Sequence, residues 1–345
     1  MQVIGIDIGF GFTKIISGSN YLMFKSVIGD ALEVQFKDQF VAAQDQESFF
    51  QVDLNGRSYF VGSIAEQQSS TRHYTLDQER FVAKFAQPLA LAALARIANG
   101  GDPIKIVTGL PIRYLQKQKK IMRKLLWGRH TLLCTDQNES EREVILDIDD
   151  VRVIPQPFGS VFGLLLNDHG GGADTRLLKQ KVGVIDIGFC TTDYTISDRT
   201  RYIERGSATS EMGIAKAFRR IADELNDKCR VDIELFRLYE AVHHGSIRIF
   251  GKSIDITELT NDAFQSLAAD IANEIQELWA DEWDLDSVLI TGGGGAVLAP
   301  YLESLLAGEI NAIGGNDDAR LNNVLGYWRY GKNQWDRTSA NSSDS

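Results

Sequence analysis

The sequence predicts an α/β protein made of two related domains, and three observations carry that prediction. First, Gly5-Ile6-Asp7-Ile8-Gly9-Phe10-Gly11-Phe12-Thr13-Lys14 aligns without gaps to Val184-Ile185-Asp186-Ile187-Gly188-Phe189-Cys190-Thr191-Thr192-Asp193. Ile, Asp, Ile, Gly and Phe match in succession, and Thr13 matches Thr192. The two aspartates are 179 positions apart in a chain of 345 residues, the spacing a duplicated domain leaves. Second, each copy runs apolar or small residues into its Asp, turns at a Gly and continues with β-formers, which reads as a buried strand, a tight turn and a returning strand. Third, the apolar run over 287–291 ends in Gly292-Gly293-Gly294-Gly295, another glycine turn at the end of a buried strand.

Taken in order, 3–8 is the first strand, 9–14 holds its turn, and the chain returns over 12–16. From 21 to 62 the pattern is irregular and strand-like. Asn55-Gly56 marks a hairpin leading into 57–62, so the stretch 21–100 is expected as a small subdomain inserted into the first domain. The span 81–97 has helical spacing and stops at Asn99-Gly100-Gly101. A buried strand is expected over 104–108, a basic amphipathic helix over 114–126 and a strand over 151–154. A helix follows over 158–166, with Pro157 at its first turn. Past the second hairpin come a polar loop of small residues (206–211), a helix over 212–225 and a long helix over 262–280. Then follow the strand 287–291, a helix over 296–306 that carries Pro300, and a short helix over 321–330. The domains are expected at 1–156 and 157–330, with the last helix free to return to the first. A flexible tail is expected over 331–345.

Composition bounds the partners. A net charge of −11 argues against broad electrostatic binding of nucleic acid. Cys134, Cys190 and Cys229 are scattered, with no pair at metal spacing. That suits a reducing, cytoplasmic setting, and Met1 leads directly into a strand with no room for a signal peptide. The longest apolar run, 89–95, is too short to span a membrane. The basic run in 114–126 reads as a solvated face, His243-His244 as a surface pair without a third ligand, and Trp283 and Trp335 as packing residues.

The chemistry sits at the three strand ends. A carboxylate there needs a charged or metal partner. Asp7 and Asp186 can hold Mg²⁺ through its water shell. Lys14 is the only cation inside either hairpin and the natural partner of a β- or γ-phosphate. Glycines let backbone N–H groups approach an anion, and the run 292–295 lets the backbone lie against an adenine or ribose. No Walker loop occurs. The pair Gly9-x-Gly11 is no dinucleotide fingerprint, since a third Gly is missing and a strand follows it.

These motifs, in this order, resemble those of the actin-like ATPases. Residues 6–14 are similar to the phosphate-1 motif, 151–159 (Val-Arg-Val-Ile-Pro-Gln-Pro-Phe-Gly) to the connecting segment, 185–193 to phosphate-2 and 289–296 to the adenosine motif. The compact length and the Pro-Gln-Pro-Phe-Gly segment most resemble bacterial plasmid-segregation actins of the ParM/StbA type. The resemblance implies an actin-like fold of two duplicated ribonuclease-H-like domains with a nucleotide cleft between them. It implies binding of ATP or GTP with Mg²⁺, and hydrolysis coupled to polymerisation. It assigns phosphate contacts to Gly9, Gly11, Phe12, Thr13, Lys14, Gly188, Cys190, Thr191 and Thr192. Nucleoside contacts fall to Gly292, Gly293, Gly294, Gly295 and the segment from Glu211 to Lys216, and Mg²⁺ to Asp7 and Asp186. Gln156 falls at the position that orients the attacking water, where many segregation actins carry Glu; without the resemblance it reads as a helix cap. Cys190 replaces a usual small residue and is expected to be reduced and inert. The partners implied are further copies of the chain in a filament and a DNA-binding adaptor at a centromere-like site, with no direct nucleic acid or membrane contact. Two other functions share the cleft: a small-molecule kinase of the sugar type, which usually has a longer chain and an extra catalytic Asp, and a chaperone or scaffold ATPase, which normally needs a peptide-binding domain after residue 330.

Overall fold

The computed structural model describes residues 1–31, 50–73, 77–135, 140–314 and 318–342, with side chains through Trp335. Residues 32–49, part of the expected subdomain, and the last three residues of the expected tail lie outside them. The chain forms two compact units. One comprises Met1–Leu110, Tyr114–Ala173 and Asn323–Ser345; the other comprises Pro111–Arg113 and Asp174–Asn322. The division after residue 173 follows the contacts of the segment that leaves the first unit, later than the break expected after 156.

In the first unit the strands are β1 (Gln2–Ile8), β2 (Phe12–Ser17), β3 (Asn20–Lys25), β4 (Ile28–Asp30), β5 (Gln51–Leu54), β6 (Arg57–Val61), β7 (Arg72–His73), β8 (Ile104–Leu110), β9 (Gly128–Thr135) and β10 (Glu141–Pro155). Among the described residues they make one sheet in the order β3-β2-β1-β8-β10-β9-β5-β6-β4-β7. β1 runs antiparallel to β2 and parallel to β8, which runs parallel to β10. The stretch expected as an insertion thus joins the same sheet, through β5 pairing with β9. β10 is far longer than the expected 151–154. Its first half alternates exposed and buried residues, the period of a strand with one solvated face.

Helices α1 (Ser63–Gln68), α2 (Gln78–Lys84), α3 (Ala86–Ile97), α4 (Ile112–Leu126) and α5 (Phe158–Leu165) follow the same chain order. The helix expected over 81–97 is two, because Pro88 has no N–H to give to a carbonyl four residues back and the break falls at Phe85. Leu89 through Leu94 are all fully buried. A helix that is apolar all round belongs in a core, and no described helix is long and apolar enough to cross a membrane.

The second unit contains β11 (Lys181–Ile187), β12 (Thr192–Asp198), β13 (Arg201–Ser210), β14 (Ser246–Ile249), β15 (Lys252–Asp255), β16 (Ser287–Thr291) and β17 (Ile310–Ala312), with α6 (Ile214–Cys229), α7 (Leu238–His244), α8 (Thr257–Leu278) and α9 (Gly293–Leu302). Its five-stranded sheet has the order β13-β12-β11-β16-β17. β11 is antiparallel to β12 and parallel to β16, and β16 is parallel to β17. This repeats β3-β2-β1-β8-β10 strand for strand and direction for direction, so the sequence repeat is a repeat of fold. Most of the expected polar loop at 206–211 is in fact the end of β13. Its small residues pair with β12 through backbone bonds, which need no apolar side chain.

The last helix, α10 (Asn322–Ser342), returns to the first unit and runs well past the expected end at 330, through most of the expected tail. Its seat is made by glycines. A Cβ on Gly326 would stand 1.6 Å from the carbonyl oxygen of Gly159, and one on Gly5 would stand 2.5 Å from that of Val324. Trp335 is buried on this helix, with Lys105 and Arg152 over its ring. It is the packing residue the sequence suggested, and it ties down a stretch that the polar composition had marked as loose.

Candidate functional site

The two hairpins are built alike. β1–β2 pairs Ile8 with Thr13 and Asp7 with Lys14; β11–β12 pairs Ile187 with Thr192 and Asp186 with Asp193. Each turn closes with the same bond: Gly9 N–H donates to Phe12 O at 3.1 Å and Gly188 N–H to Thr191 O at 2.8 Å.

In the first hairpin the buried Asp7 carboxylate has its charged partner within the strand pair. Lys14 Nζ lies 2.7 Å from Asp7 Oδ2, with side-chain exposures of 13% and 4%. The ammonium also lies near the turn, 3.3 Å from where a Cβ on Gly9 would stand. Thr13, expected at the phosphates, has its hydroxyl engaged within the turn. It is fully buried, and its hydroxyl is 2.9 Å from that of Ser26. Ser26 Oγ in turn donates to Gly9 O, and its N–H donates to Gly11 O. Thr13 and Ser26 are therefore fasteners of the turn, and Ser26 carried no signal in the sequence because it lies outside the motif.

The second hairpin differs at the position of Lys14. Asp193 stands opposite Asp186 and is 1% exposed. One oxygen of Asp193 accepts from Ile112 N–H and from Thr209 Oγ. Burial, with the Asp186 charge beside it, pushes its carboxyl up to about 7 against those two donors. Thr192, like Thr13, is buried; its hydroxyl donates to Met212 O at 2.8 Å. Cys190 is partly buried, and burial pushes its thiol well above the ordinary range, which favours the neutral thiol. The start of α6 is tied to this turn by backbone bonds from Gly213 to Cys190, Ile214 to Gly188 and Ala215 to Phe189. Of the segment expected near the nucleoside, Glu211 is exposed and pairs with Arg113, and Lys216 pairs with Asp270 at the surface.

The glycine run meets the same strand end. Gly292, with φ of +85°, is the turn, and Gly293, Gly294 and Gly295 are the first residues of α9, which thus starts three residues earlier than expected. A Cβ on Gly292 would stand 2.5 Å from Asp186 Oδ1, and one on Gly294 2.7 Å from Ile187 Cγ2. Only bare backbone fits here. The first amides of α9 have no side-chain cap, so Asp186, the Gly188 turn and an uncapped helix start lie together in the second unit. This is a donor-rich edge beside a carboxylate, suited to a phosphate group and a hydrated cation. Arg320, held by Asp318 in a bidentate pair, touches the position of Gly293 and had no motif to announce it.

Gln156 lies in the turn before α5. Its N–H donates to Leu110 O, its carbonyl accepts from Gly159 N–H and Tyr327 Oη, and no side chain caps α5. The backbone is pinned on three sides and the carboxamide is not spent on the helix. His243 and His244 are exposed at the end of α7, and no group of three metal-binding side chains occurs among the described residues. Trp283 is not a packing residue: it is 88% exposed.

Two sheets that share a five-strand order, each with Asp-x-Gly at the end of the first strand of its hairpin, define the two-domain actin-like fold. The known proteins agree. Residues 5–159 match the family of actin-like protein N-terminal domains, and residues 184–304 match the C-terminal domain of the archaeal actin homologue family described as MreB-like. One match falls in each half of the chain, which has the two-domain actin-like fold. An archaeal actin homologue of Thermoplasma acidophilum is 23% identical over 338 residues, covering 95% of this chain and 98% of that protein. Among solved structures, a 15-stranded ParM filament from Clostridium botulinum matches at TM-score 0.78 and 23% identity over 96% of this chain and 99% of that one. An archaeal actin homologue in complex with ADP matches at TM-score 0.77 and 20% identity, over 95% and 98% of the two chains.

Proposed function

We propose that this protein is a nucleotide-gated, filament-forming ATPase that moves or positions DNA, as a plasmid-partition system does. The observation that carries the reading is the duplicated hairpin, one copy per unit, with a buried Asp at the same register position and a Gly turn beside it. The likeness to a ParM filament and to an actin homologue solved with ADP supports it.

In this reading ATP, or GTP, engages both hairpins. Lys14 and the amides of the Gly9–Gly11 and Gly188–Thr191 turns hold the phosphates, and the α9 start faces the nucleoside. Asp7 and Asp186 hold Mg²⁺ through water; when bound, the ion neutralises charge on the transferring phosphoryl group. Lys14, paired with Asp7, is pre-positioned at the turn. Gln156 has a neutral amide and so orients a water molecule rather than deprotonating it. Subunits stack in the nucleoside-triphosphate state and separate after hydrolysis. An acidic chain of net charge −11 grips DNA through a separate adaptor protein.

The test is sedimentation with ATP and Mg²⁺, paired with Asp186→Ala. The wild-type protein should pellet as filaments with ATP and leave duplex DNA unshifted at about 0.15 M salt, where weak non-specific contacts are screened. A folded Asp186→Ala protein should lose hydrolysis. Near-normal turnover in that variant, or tight sequence-specific DNA binding by the chain alone, would overturn the reading.

A further inference from the structure

Glycine backbones rotate easily, so a turn built on Gly9 and Gly11 keeps one orientation only where something outside it holds its peptides. Ser26, which follows β3 directly, spends both of its donors on that turn. Its Oγ donates to Gly9 O at 2.6 Å and its N–H to Gly11 O at 2.9 Å. The residue is 3% exposed.

The second hairpin has the same two carbonyls held. Gly188 matches Gly9 and Cys190 matches Gly11. Gly188 O accepts from Ile214 N–H and Cys190 O from Gly213 N–H, both at 3.1 Å. In each unit the tether comes from the segment just past the third strand, β3 or β13. The matched threonines reach the same segments, Thr13 to Ser26 and Thr192 to Met212. After β13 a helix begins, and the first amides of a helix have no partner inside it, so α6 supplies both donors from its backbone. After β3 the chain goes on into β4 instead. There one backbone N–H is at hand, and the Ser26 hydroxyl stands in for the second.

A proton count gives this chain of bonds a direction. A serine hydroxyl has one proton. Ser26 gives it to Gly9 O, so the 2.9 Å contact with Thr13 Oγ1 is donated by Thr13. Thr13 O–H thus points to Ser26 Oγ, and Ser26 O–H to Gly9 O, each bond polarising the next. The anchor is itself fixed. Val27 O accepts from Gly62 N–H, and Val27 lies in a buried cluster with Phe60, Ile64 and Ala65.

We propose that Ser26 is a positioning residue that makes the first turn a site for the phosphates of a nucleotide. No described peptide is cis, and in a trans peptide the carbonyl and the following N–H point to opposite sides. Holding Gly9 O against Ser26 therefore aims Phe10 N–H to the other side of the turn. A peptide released to flip would present its carbonyl oxygen there, and an anion would meet an acceptor where it needs a donor. Ser26 acts on the phosphates through the turn and does not touch them. This inference rests on the nucleotide-binding reading and adds what fixes the phosphate half of the site.

The experiment titrates the full chain with MgADP by calorimetry and with adenosine by competition, and follows thermal unfolding without ligand. Ser26→Ala removes the hydroxyl and keeps the backbone tie to Gly11 O. It should weaken MgADP about tenfold, the scale of one hydrogen bond to a charged group, and leave adenosine within about twofold. A loss confined to the phosphate-bearing ligand is what a general support of the fold would not give. Ser26→Cys keeps the volume without the strong donor and should match Ser26→Ala; it carries the test if the alanine variant does not fold. Thr13→Val removes only the outer bond of the chain and should fall between Ser26→Ala and wild type. MgADP affinity within about twofold of wild type in folded Ser26→Ala or Ser26→Cys overturns the inference, because the lost donor is then worth far less than one such bond. Equal losses of MgADP and adenosine overturn it too and leave nucleotide binding standing. A wild-type chain that binds neither ligand removes the inference and the nucleotide reading together.

Discussion

Replacing Asp193 with Asn should stabilise the ligand-free protein, and do so only above mildly acidic pH. Asp193 is buried opposite Asp186, and its carboxyl is pushed up to about 7 from an ordinary 3.8. A raised carboxyl favours the protonated form in the fold. The wild-type protein therefore meets no penalty below the unfolded value near pH 4. It loses stability as pH rises from 4 to 7, and the loss levels off above 7. Three units at 1.36 kcal/mol each set a ceiling of about 4 kcal/mol, and relaxation around a coupled pair lowers the expected effect to roughly 2–4 kcal/mol. Asn keeps the acceptor oxygen that receives Ile112 N–H and Thr209 Oγ and cannot ionise. Urea unfolding in EDTA at pH 4.5, 6 and 8 should show an advantage for Asp193→Asn that is small at the first pH and largest at the last. An advantage of constant size, or a variant less stable throughout, would refute the claim that Asp193 carries an ionisation penalty.

Three further outcomes are expected. Lys14→Met strands the Asp7 carboxylate, which is 4% exposed, so it should cost roughly 3 kcal/mol in urea unfolding. The double variant with Asp7→Asn should recover most of that, which a purely steric effect of Met would not allow. Gln156→Ala should slow ATP hydrolysis and lengthen filament lifetime with ATP affinity unchanged, read by phosphate release and by titration; weaker binding with normal turnover would give Gln156 another job. Gly326→Ala forces a methyl against Gly159 O and should cost about 3 kcal/mol or more in thermal unfolding. Gly100→Ala, which meets nothing within 4 Å, should be silent.

The fold was legible because its determinants are local and repeated. Apolar runs ending in Asp-x-Gly at residues 7 and 186, the Asn55-Gly56 turn and the glycine run at 292 each write their geometry into neighbouring residues, since strand alternation and positive φ are properties of a few positions. The pairing of Asp7 with Lys14 follows from the same register once the turn is placed. What the sequence could not decide depends on residues far apart in the chain. Thr13 and Thr192 match in the repeat and look like phosphate ligands, yet both hydroxyls are consumed, by Ser26 and by Met212 O. Whether a hydroxyl faces a ligand depends on which distant backbone lies behind it. Asp193 looked like the end of a motif; only burial under Ile112 and Thr209 makes it a strained carboxylate. The C-terminal helix looked like a short helix and a loose polar tail, and packing of its glycines on β1 and α5, with Trp335 buried, carries it to Ser342. Trp283 was assigned to packing because tryptophans usually are buried. Its exposure follows from Glu282 beside it, whose pairs with Lys181 and Arg205 hold that loop with the indole facing out. Local pattern fixes which segments become strands and helices, whereas the direction and partners of a single polar or aromatic side chain are set by whatever the rest of the chain brings against it.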